Sequence, residues 1–256
     1  MGITIGFDAE KDGFPFPNWW VLDEDELQVF QEMGEAALGR LLRLFVVGTP
    51  MHIVARRSVG SIAATLGHVL KEQTYGLCGG MAYAAADCFV HRIPIPWEDK
   101  EGENPAPGDP LRLYLWKRQI RSFRNDLDRF VKWLVYLNWV PKLIGGGPSW
   151  LAKASRVEWG MLQAKLNARE PVPLGLVRDT RSPFECHQVL AVGYDEPDAG
   201  HRAIEIYDPN CPQVPSTITF ALEGKALKVQ ESCKASQDLM GFFCDDYEPV
   251  DPRPYL

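Results

Sequence analysis

Apolar residues recur at helical spacing through the N-terminal and central parts of the chain. Asp23 and Glu26 form a capping-box pattern, in which each side chain satisfies a backbone N–H group of the other residue, and this pattern predicts the start of a helix. Apolar side chains between 27 and 47 then fall near one face, and the Gly-Thr-Pro at 48–50 indicates the end. Four more helices are predicted at about 61–71, from about Cys78 through an alanine-rich run, through the apolar positions between 115 and 137, and at about 149–168.

Short apolar segments separated by turns replace the helical spacing after Pro171. They are rich in β-branched and aromatic residues, which favour strands. Helices followed by strands are typical of an α+β fold, here with the helical part packed on a C-terminal antiparallel sheet. We predict one domain over 1–256, with a helical part at about 22–170 and a β part at about 171–248. The predicted strands are VPLGLV at 172–177, HQVLAVGY at 187–194, AIEIY at 203–207, STITF at 216–220 and LMGFFC at 239–244.

The charge balance excludes a nucleic-acid partner. The formal net charge is -7, and the densest basic segment, KRQIRSFR at 117–124, is interleaved with apolar residues as on the exposed face of an amphipathic helix. No apolar run reaches the ~18 residues that cross a bilayer, so no membrane span is predicted. The N-terminus lacks the pattern of a cleavable signal peptide, and a cytoplasmic location is therefore predicted.

Cysteine spacing gives no metal site. None of the six cysteines forms a C-x-x-C pair, and the spacings fit no zinc ligand set, so neither a metal nor an organic cofactor is implied. In a cytoplasmic chain of this size, reduced thiols are expected. The acidic segment at 97–110, rich in proline and glycine, predicts a loop.

Cys78 stands in a context that favours nucleophilic chemistry. It follows a turn-like glycine and precedes the alanine-rich helix. A thiol at a helix N-terminus meets unpaired N–H groups and the positive end of the helix dipole, which favour the thiolate and also suit an oxyanion. A lone cysteine is more often a buried structural residue. A base within reach is needed to favour catalysis.

His187 and Asp208 supply the remaining parts of such a site. His187 opens the predicted strand at 187–194, and Asp208 ends the neighbouring strand, from which it is predicted to reach and orient the imidazole. Asn210, two residues further on, is the alternative orienting residue. Cys186 is predicted to point to the opposite face from His187, because neighbouring side chains on a strand alternate.

Three segments resemble those of papain-like cysteine peptidases, and of the bacteriocin-processing branch in particular. GLCGGM resembles the nucleophile segment, HQVLAVGYD the histidine strand, and IYDPN the Asp-Pro strand end. The resemblance implies a papain-like fold with Cys78, His187 and Asp208 as catalytic triad. It also implies that Gln73, five residues before Cys78, completes an oxyanion hole with the Cys78 backbone N–H. In the family this glutamine usually lies about six residues ahead, where this chain has Glu72.

Three functions are compatible with this constellation. The first is a cysteine hydrolase, a peptidase or amidase, that acts on a peptide or amide substrate through a covalent acyl-enzyme. The second is an acyltransferase or transglutaminase-like enzyme, in which an amine or thiol replaces water as acceptor. The third is a catalytically inactive papain-like module that binds a peptide. The sequence leaves the substrate and the oligomeric state open.

Overall fold

Helices occupy the N-terminal and central parts of the described chain, and a mostly C-terminal antiparallel sheet follows them, which confirms the α+β prediction. The structure is a computed structural model. It describes residues 2–44, 52–97, 103–138, 146–221, 229–233 and 239–256. Parts of two predictions lie outside these residues, namely the helix end at 45–50 and the section of the acidic loop at 98–102.

The helices lie close to their predicted positions. Asp23 Oδ1 accepts from the Glu26 amide at 2.8 Å and Glu26 Oε2 accepts from the Asp23 amide at 3.0 Å, which confirms the capping box. The predicted start at 61 is wrong, because the second long helix begins at His52 and continues through Gly60, where the entropic cost of one glycine is small. The helices are α1 (Ala9–Asp12), α2 (Glu24–Leu44), α3 (His52–Glu72), α4 (Cys78–His91), α5 (Pro110–Asn138) and α6 (Pro148–Asn167).

One antiparallel sheet forms the C-terminal part of the described chain. Its strands follow the order β8-β7-β6-β5-β4-β9, with the short β1 also paired to β5. The two-stranded sheet of β2 and β3 lies apart from it. The strands are β1 (Ile3–Thr4), β2 (Trp20–Val21), β3 (Thr74–Tyr75), β4 (Val172–Arg178), β5 (His187–Asp195), β6 (His201–Tyr207), β7 (Ser216–Ala221), β8 (Val229–Glu231) and β9 (Leu239–Cys244).

Helix α4 is a buried element at the centre of the packing between the helices and the sheet. It packs against both α5 and β5, and its residues from 79 to 88 are all buried. Its small side chains allow this close approach. At Gly80 a Cβ atom would lie 2.3 Å from the Leu115 carbonyl oxygen, so α4 and α5 touch backbone to backbone. The first turn of α4 is thereby held at a fixed position beside the sheet.

The basic segment on α5 has two faces rather than one. Lys117, Arg121 and Arg124 are exposed, as predicted for an amphipathic helix. Arg118 is buried and forms an ion pair with the buried Asp87 of α4, with Nε 2.7 Å from Oδ2. The alternation of apolar and basic residues did not distinguish this one inward-facing arginine from its neighbours.

The prediction that all thiols are reduced is wrong for one pair. Cys211 and Cys233 form a disulfide across 22 residues, with Cα atoms 6.1 Å apart, within the range that a disulfide requires. The chain folds β7 and β8 back on β6, which brings the two cysteines together. The free cysteines among the described residues are Cys78, Cys88, Cys186 and Cys244.

The described residues lack two features, a membrane-spanning helix and a metal-binding cluster. No helix in this part of the chain is both long and apolar enough to cross a membrane. The same residues contain no group of three or more histidine, cysteine or acidic side chains arranged to hold a metal ion.

Candidate active site

Cys78 is the first residue of α4 and remains partly exposed. Leu77 precedes it as a fully buried N-cap that has no side-chain hydrogen bond to offer the helix. Gly80 N–H donates to the Gln119 side-chain oxygen at 2.8 Å. Within the described residues, no acceptor satisfies the N–H groups of Cys78 and Gly79. These amides are therefore available to an oxyanion formed beside the sulfur.

Position 79, in the first turn of α4, has no room for a side chain. A Cβ atom at Gly79 would lie 2.1 Å from Gln188 Oε1 and 2.3 Å from Ser122 Oγ. Glycine at this position therefore allows polar side chains from β5 and α5 to approach the turn that carries Cys78. The two glycines after the cysteine in the sequence CGG have a steric explanation, in addition to their resemblance to a family motif.

His187 and Asp208 lie in direct contact, as the sequence predicted. His187 Nε2 is 2.7 Å from Asp208 Oδ1, and both side chains are almost completely buried. The Cys78 sulfur lies near the same imidazole, close enough to act on its pKa. Because Nε2 is directed to Asp208, Nδ1 is the nitrogen that remains for the sulfur. The imidazole thus lies between a thiol and a carboxylate, which is the arrangement of an activated nucleophile.

Strand register explains how residues 21 positions apart meet. Leu190 of β5 pairs with Tyr207 of β6 in the antiparallel ladder. Extended past the end of β6, this register places 208 opposite 189 and 210 opposite 187. The turn at Asp208 bends the chain, and there Asp208 Oδ1 accepts from the Asn210 amide at 2.8 Å. Both candidate orienting residues therefore reach the same imidazole.

The surroundings of His187 favour its charged form. Burial by itself lowers the pKa of the imidazole, but the negative charges and hydrogen bonds of Asp208 and Cys78 outweigh it and raise the pKa to about 10. The imidazolium form is therefore present at neutral pH, beside the Cys78 sulfur. Burial raises the pKa of the Cys88, Cys186 and Cys244 thiols to about 12.

Gln73 is not joined by its side chain to the other predicted residues. It follows the last residue of α3 with a positive φ of 54°, its side chain is exposed, and its backbone oxygen accepts from the Leu22 amide. Among the described residues, its side chain makes no hydrogen bond to Cys78, His187 or Asp208. Its oxyanion role stays a prediction.

Asn210 lies against the imidazole together with Asp208. Its Nδ2 is 3.0 Å from His187 Nε2, and its Oδ1 accepts from Asn18 Nδ2 at 3.1 Å. Sequence reasoning missed Asn18, which lies in an aromatic segment between α1 and β2. The sequence alone carries no signal for this contact, because 192 residues separate the two asparagines.

A second polar cluster, also missed from sequence, lies behind the nucleophile turn. Gln188 Nε2 donates to Asp245 Oδ2 at 2.7 Å, and Ser122 Oγ donates to Gln188 Oε1 at 3.2 Å. Burial, followed by the nearby charge of Asp126, raises the pKa of Asp245 well above its usual value. The protonated form of Asp245 is therefore favoured relative to that of an exposed carboxyl group. A glutamine within an otherwise apolar strand was the available signal for this cluster.

Asp208→Asn is expected to lower the pKa of His187 from about 10, because it removes the charge that stabilises the imidazolium and keeps the shape of the side chain. NMR titration of the imidazole nitrogens measures this pKa.

The raised pKa of His187 also makes the stability of the fold depend on pH. The contribution of the charged imidazole to the free energy of unfolding is complete below its unfolded pKa of 6.5 and is lost as the pH rises through about 10. Urea unfolding at pH 6 and pH 9 measures this pH dependence, which is expected to be smaller in Asp208→Asn.

Asp198→Asn provides the matched control, because Asp198 also pairs with a histidine. His201 Nδ1 lies 2.8 Å from Asp198 Oδ2, but both side chains are more than half exposed. This substitution is expected to leave the His187 titration unchanged. An unaltered His187 titration in Asp208→Asn itself would show that Asp208 does not set the charge of the imidazole.

Comparison with known proteins returns no matching family model, no matching curated protein and no matching solved structure.

Proposed function

We propose that the protein is a cysteine hydrolase, a peptidase or amidase, that acts through a covalent acyl-enzyme. The observation that carries this proposal is the position of His187, buried between the Cys78 sulfur and the Asp208 carboxylate. A thiol, a base and an orienting acid in this order are the parts that nucleophilic catalysis needs. The resemblance of three short segments to those of papain-like peptidases points to the same chemistry.

The first half of the reaction uses the thiolate–imidazolium pair. The Cys78 sulfur bonds to the carbonyl carbon, and the carbonyl electron pair moves to oxygen, where the free N–H groups at the start of α4 stabilise it. The tetrahedral intermediate then collapses, the carbon–nitrogen bond breaks, and the leaving amine takes the proton from His187 Nδ1. A thioester on Cys78 and a neutral imidazole remain.

The second half restores the starting state. His187 Nδ1 accepts a proton from water while the water oxygen attacks the thioester carbon. The carbon–sulfur bond breaks, the acid is released, and the sulfur leaves as thiolate beside the imidazolium. Asp208 keeps its charge throughout, because its part is to hold Nε2–H and to stabilise the cation.

Alkylation by iodoacetamide, with each site identified by mass spectrometry, tests the thiolate–imidazolium pair without a substrate. Cys78 is expected to react at pH 6–7 at least tenfold faster than Cys88, Cys186 and Cys244, whose pKa values of about 12 keep them protonated. His187→Ala is expected to remove most of this advantage.

Two results would count against the proposal. One is an inert Cys78, which would favour the peptide-binding module. The other is a Cys78 whose rate is unchanged in His187→Ala, since the imidazole would then not activate the sulfur. For a reactive Cys78, product analysis with an added amine separates hydrolysis from acyl transfer, because the two share the same thioester.

A further inference from the structure

Asn18 contacts the site from a distant part of the chain. It lies between α1 and β2, and its Nδ2 donates to Asn210 Oδ1 at 3.1 Å. Asn210 in turn lies with its Nδ2 3.0 Å from His187 Nε2. A continuous line of polar contacts therefore leads from the N-terminal segment to the imidazole.

The same amide group also packs against the loop that leads to the nucleophile. Gly76 is two residues before Cys78, and a Cβ atom there would lie 2.9 Å from Asn18 Nδ2 and 3.2 Å from Asn18 Oδ1. The amide thus fills the space that a side chain at 76 would need. It bridges the loop that carries the nucleophile and the turn that carries the orienting residues.

This asparagine is poorly satisfied where it lies. Asn18 Oδ1 is buried, and no partner for it is found among the described residues. A buried polar atom without a partner costs stability, and most such atoms in folded proteins are paired. Packing alone therefore does not explain an asparagine at this position, and a role in the site does.

We propose that Asn18 is a positioning residue, which fixes the Asn210 amide beside His187 and so keeps the imidazole aligned between Asp208 and Cys78. The proposal rests on the proposed function, since alignment matters only if His187 activates the sulfur. Asn18 acts through Asn210, and no direct contact with the reacting atoms is assigned to it.

The physical reason lies in the packing of Asn210 against the imidazole. Asn18 binds the Asn210 side-chain oxygen and so keeps the Asn210 amide against the Nε2 edge of the ring. Without Asn18 the Asn210 side chain is free to move away, and the ring loses this neighbour just as it does when Asn210 itself is truncated. A ring that shifts in this space no longer presents Nδ1 to the sulfur at the same angle, and small misplacements of reacting groups have large effects on rate.

The test is the rate of Cys78 alkylation by iodoacetamide across pH 5–9 in the full chain. Asn18→Ala is expected to slow alkylation near neutral pH roughly tenfold and to change the shape of the pH profile. Asn210→Ala is expected to do the same, and the double variant Asn18→Ala/Asn210→Ala to be no slower than Asn210→Ala alone, because both changes break one line of contacts.

Gly76→Ala gives a second route to the same state. The added methyl group displaces the Asn18 amide, which is the flexible end of a side chain, so the fold is expected to tolerate it. Alkylation is expected to slow in Gly76→Ala. The double variant Gly76→Ala/Asn18→Ala is expected to be alkylated no more slowly than Asn18→Ala alone, because the methyl group at 76 then has no Asn18 amide to displace.

Asn104→Ala is the matched control for loosening of the N-terminal segment. Asn104 Nδ2 donates to the Trp19 carbonyl oxygen at 2.6 Å, one residue from Asn18, but does not reach the imidazole. Its substitution is expected to leave the rate of Cys78 alkylation within about twofold of wild type, because the effect of such a substitution on the fold is small. An equal slowing in Asn104→Ala and Asn18→Ala would reduce Asn18 to a structural residue and overturn the proposal.

The outcome for His187→Ala separates this proposal from the function on which it rests. If His187→Ala slows alkylation and Asn18→Ala does not, Asn18 has no positioning role and the proposed function stands. If neither substitution slows alkylation, the proposed function fails, and the role of Asn18 fails with it. Additive effects of Asn18→Ala and Asn210→Ala would also overturn the proposal, because the two residues would then act independently.

Discussion

Cys78→Ala is expected to abolish acyl-enzyme formation and to lower turnover of activated esters and peptide amides by about 10⁴-fold or more. No other described thiol is able to replace it, since the remaining free cysteines have a pKa of about 12 and lack a histidine partner. Mass spectrometry of the protein after rapid quenching measures the acyl adduct, and release of p-nitrophenol from a panel of esters measures turnover.

Cys186→Ala is the matched control for this experiment. Cys186 is also partly exposed and is adjacent to His187 in sequence, but it packs against an apolar cluster rather than the imidazole. Turnover is expected to stay within about twofold of wild type. Wild-type turnover in Cys78→Ala, or its loss in Cys186→Ala, would assign the nucleophile to another residue.

Asp87→Ala is expected to lower the free energy of unfolding by roughly 3–5 kcal/mol, because it leaves the buried Arg118 guanidinium without its counter-charge. Asp87 also accepts hydrogen bonds from the hydroxyl groups of Tyr114 and Tyr247, at 2.8 and 2.9 Å, and from the Val250 amide at 2.8 Å. One carboxylate thereby joins α4, α5 and the C-terminal segment. Urea unfolding followed by circular dichroism measures the change.

The exposed pair of Arg121 and Glu248 gives the comparison for the buried one. The nitrogen–oxygen distance there is 3.0 Å, but both side chains are more than half exposed. Arg121→Ala is therefore expected to cost less than about 1 kcal/mol. Equal decreases in the free energy of unfolding in Asp87→Ala and Arg121→Ala would show that burial does not strengthen the Arg118–Asp87 ion pair.

Features that depend on local chemistry could be predicted from the sequence. The capping box at Asp23 and Glu26 involves residues three positions apart, and its two hydrogen bonds form as predicted. The five predicted strands also form, because β-branched and aromatic runs between turns have few other ways to bury their side chains. Cys78, His187 and Asp208 could be selected as candidate site residues for a related reason, because each lies where a predicted helix or strand begins or ends.

Features that depend on long-range proximity could not be predicted in the same way. The disulfide between Cys211 and Cys233 follows from the path of β7 and β8, and cysteine spacing does not encode that path. The inward direction of Arg118 depends on Asp87, 31 residues away on another helix. Asn18 shows the limit most clearly, because only the folded chain brings it to Asn210.

The disulfide gives reducing agents two opposite effects on this site. Cys78 has to be a free thiol to attack a carbonyl. Cys211, by contrast, is bonded to Cys233, and its amide donates at 2.8 Å to the carbonyl oxygen of Asp208. If Cys78 and His187 act as proposed, a strong reductant is expected to keep Cys78 as a free thiol but to open the disulfide next to the turn that carries Asp208, whereas an oxidant is expected to keep the disulfide and to oxidise Cys78. The state expected to be active has a free Cys78 and an intact Cys211–Cys233 disulfide, and activity plotted against reductant concentration is expected to pass through a maximum.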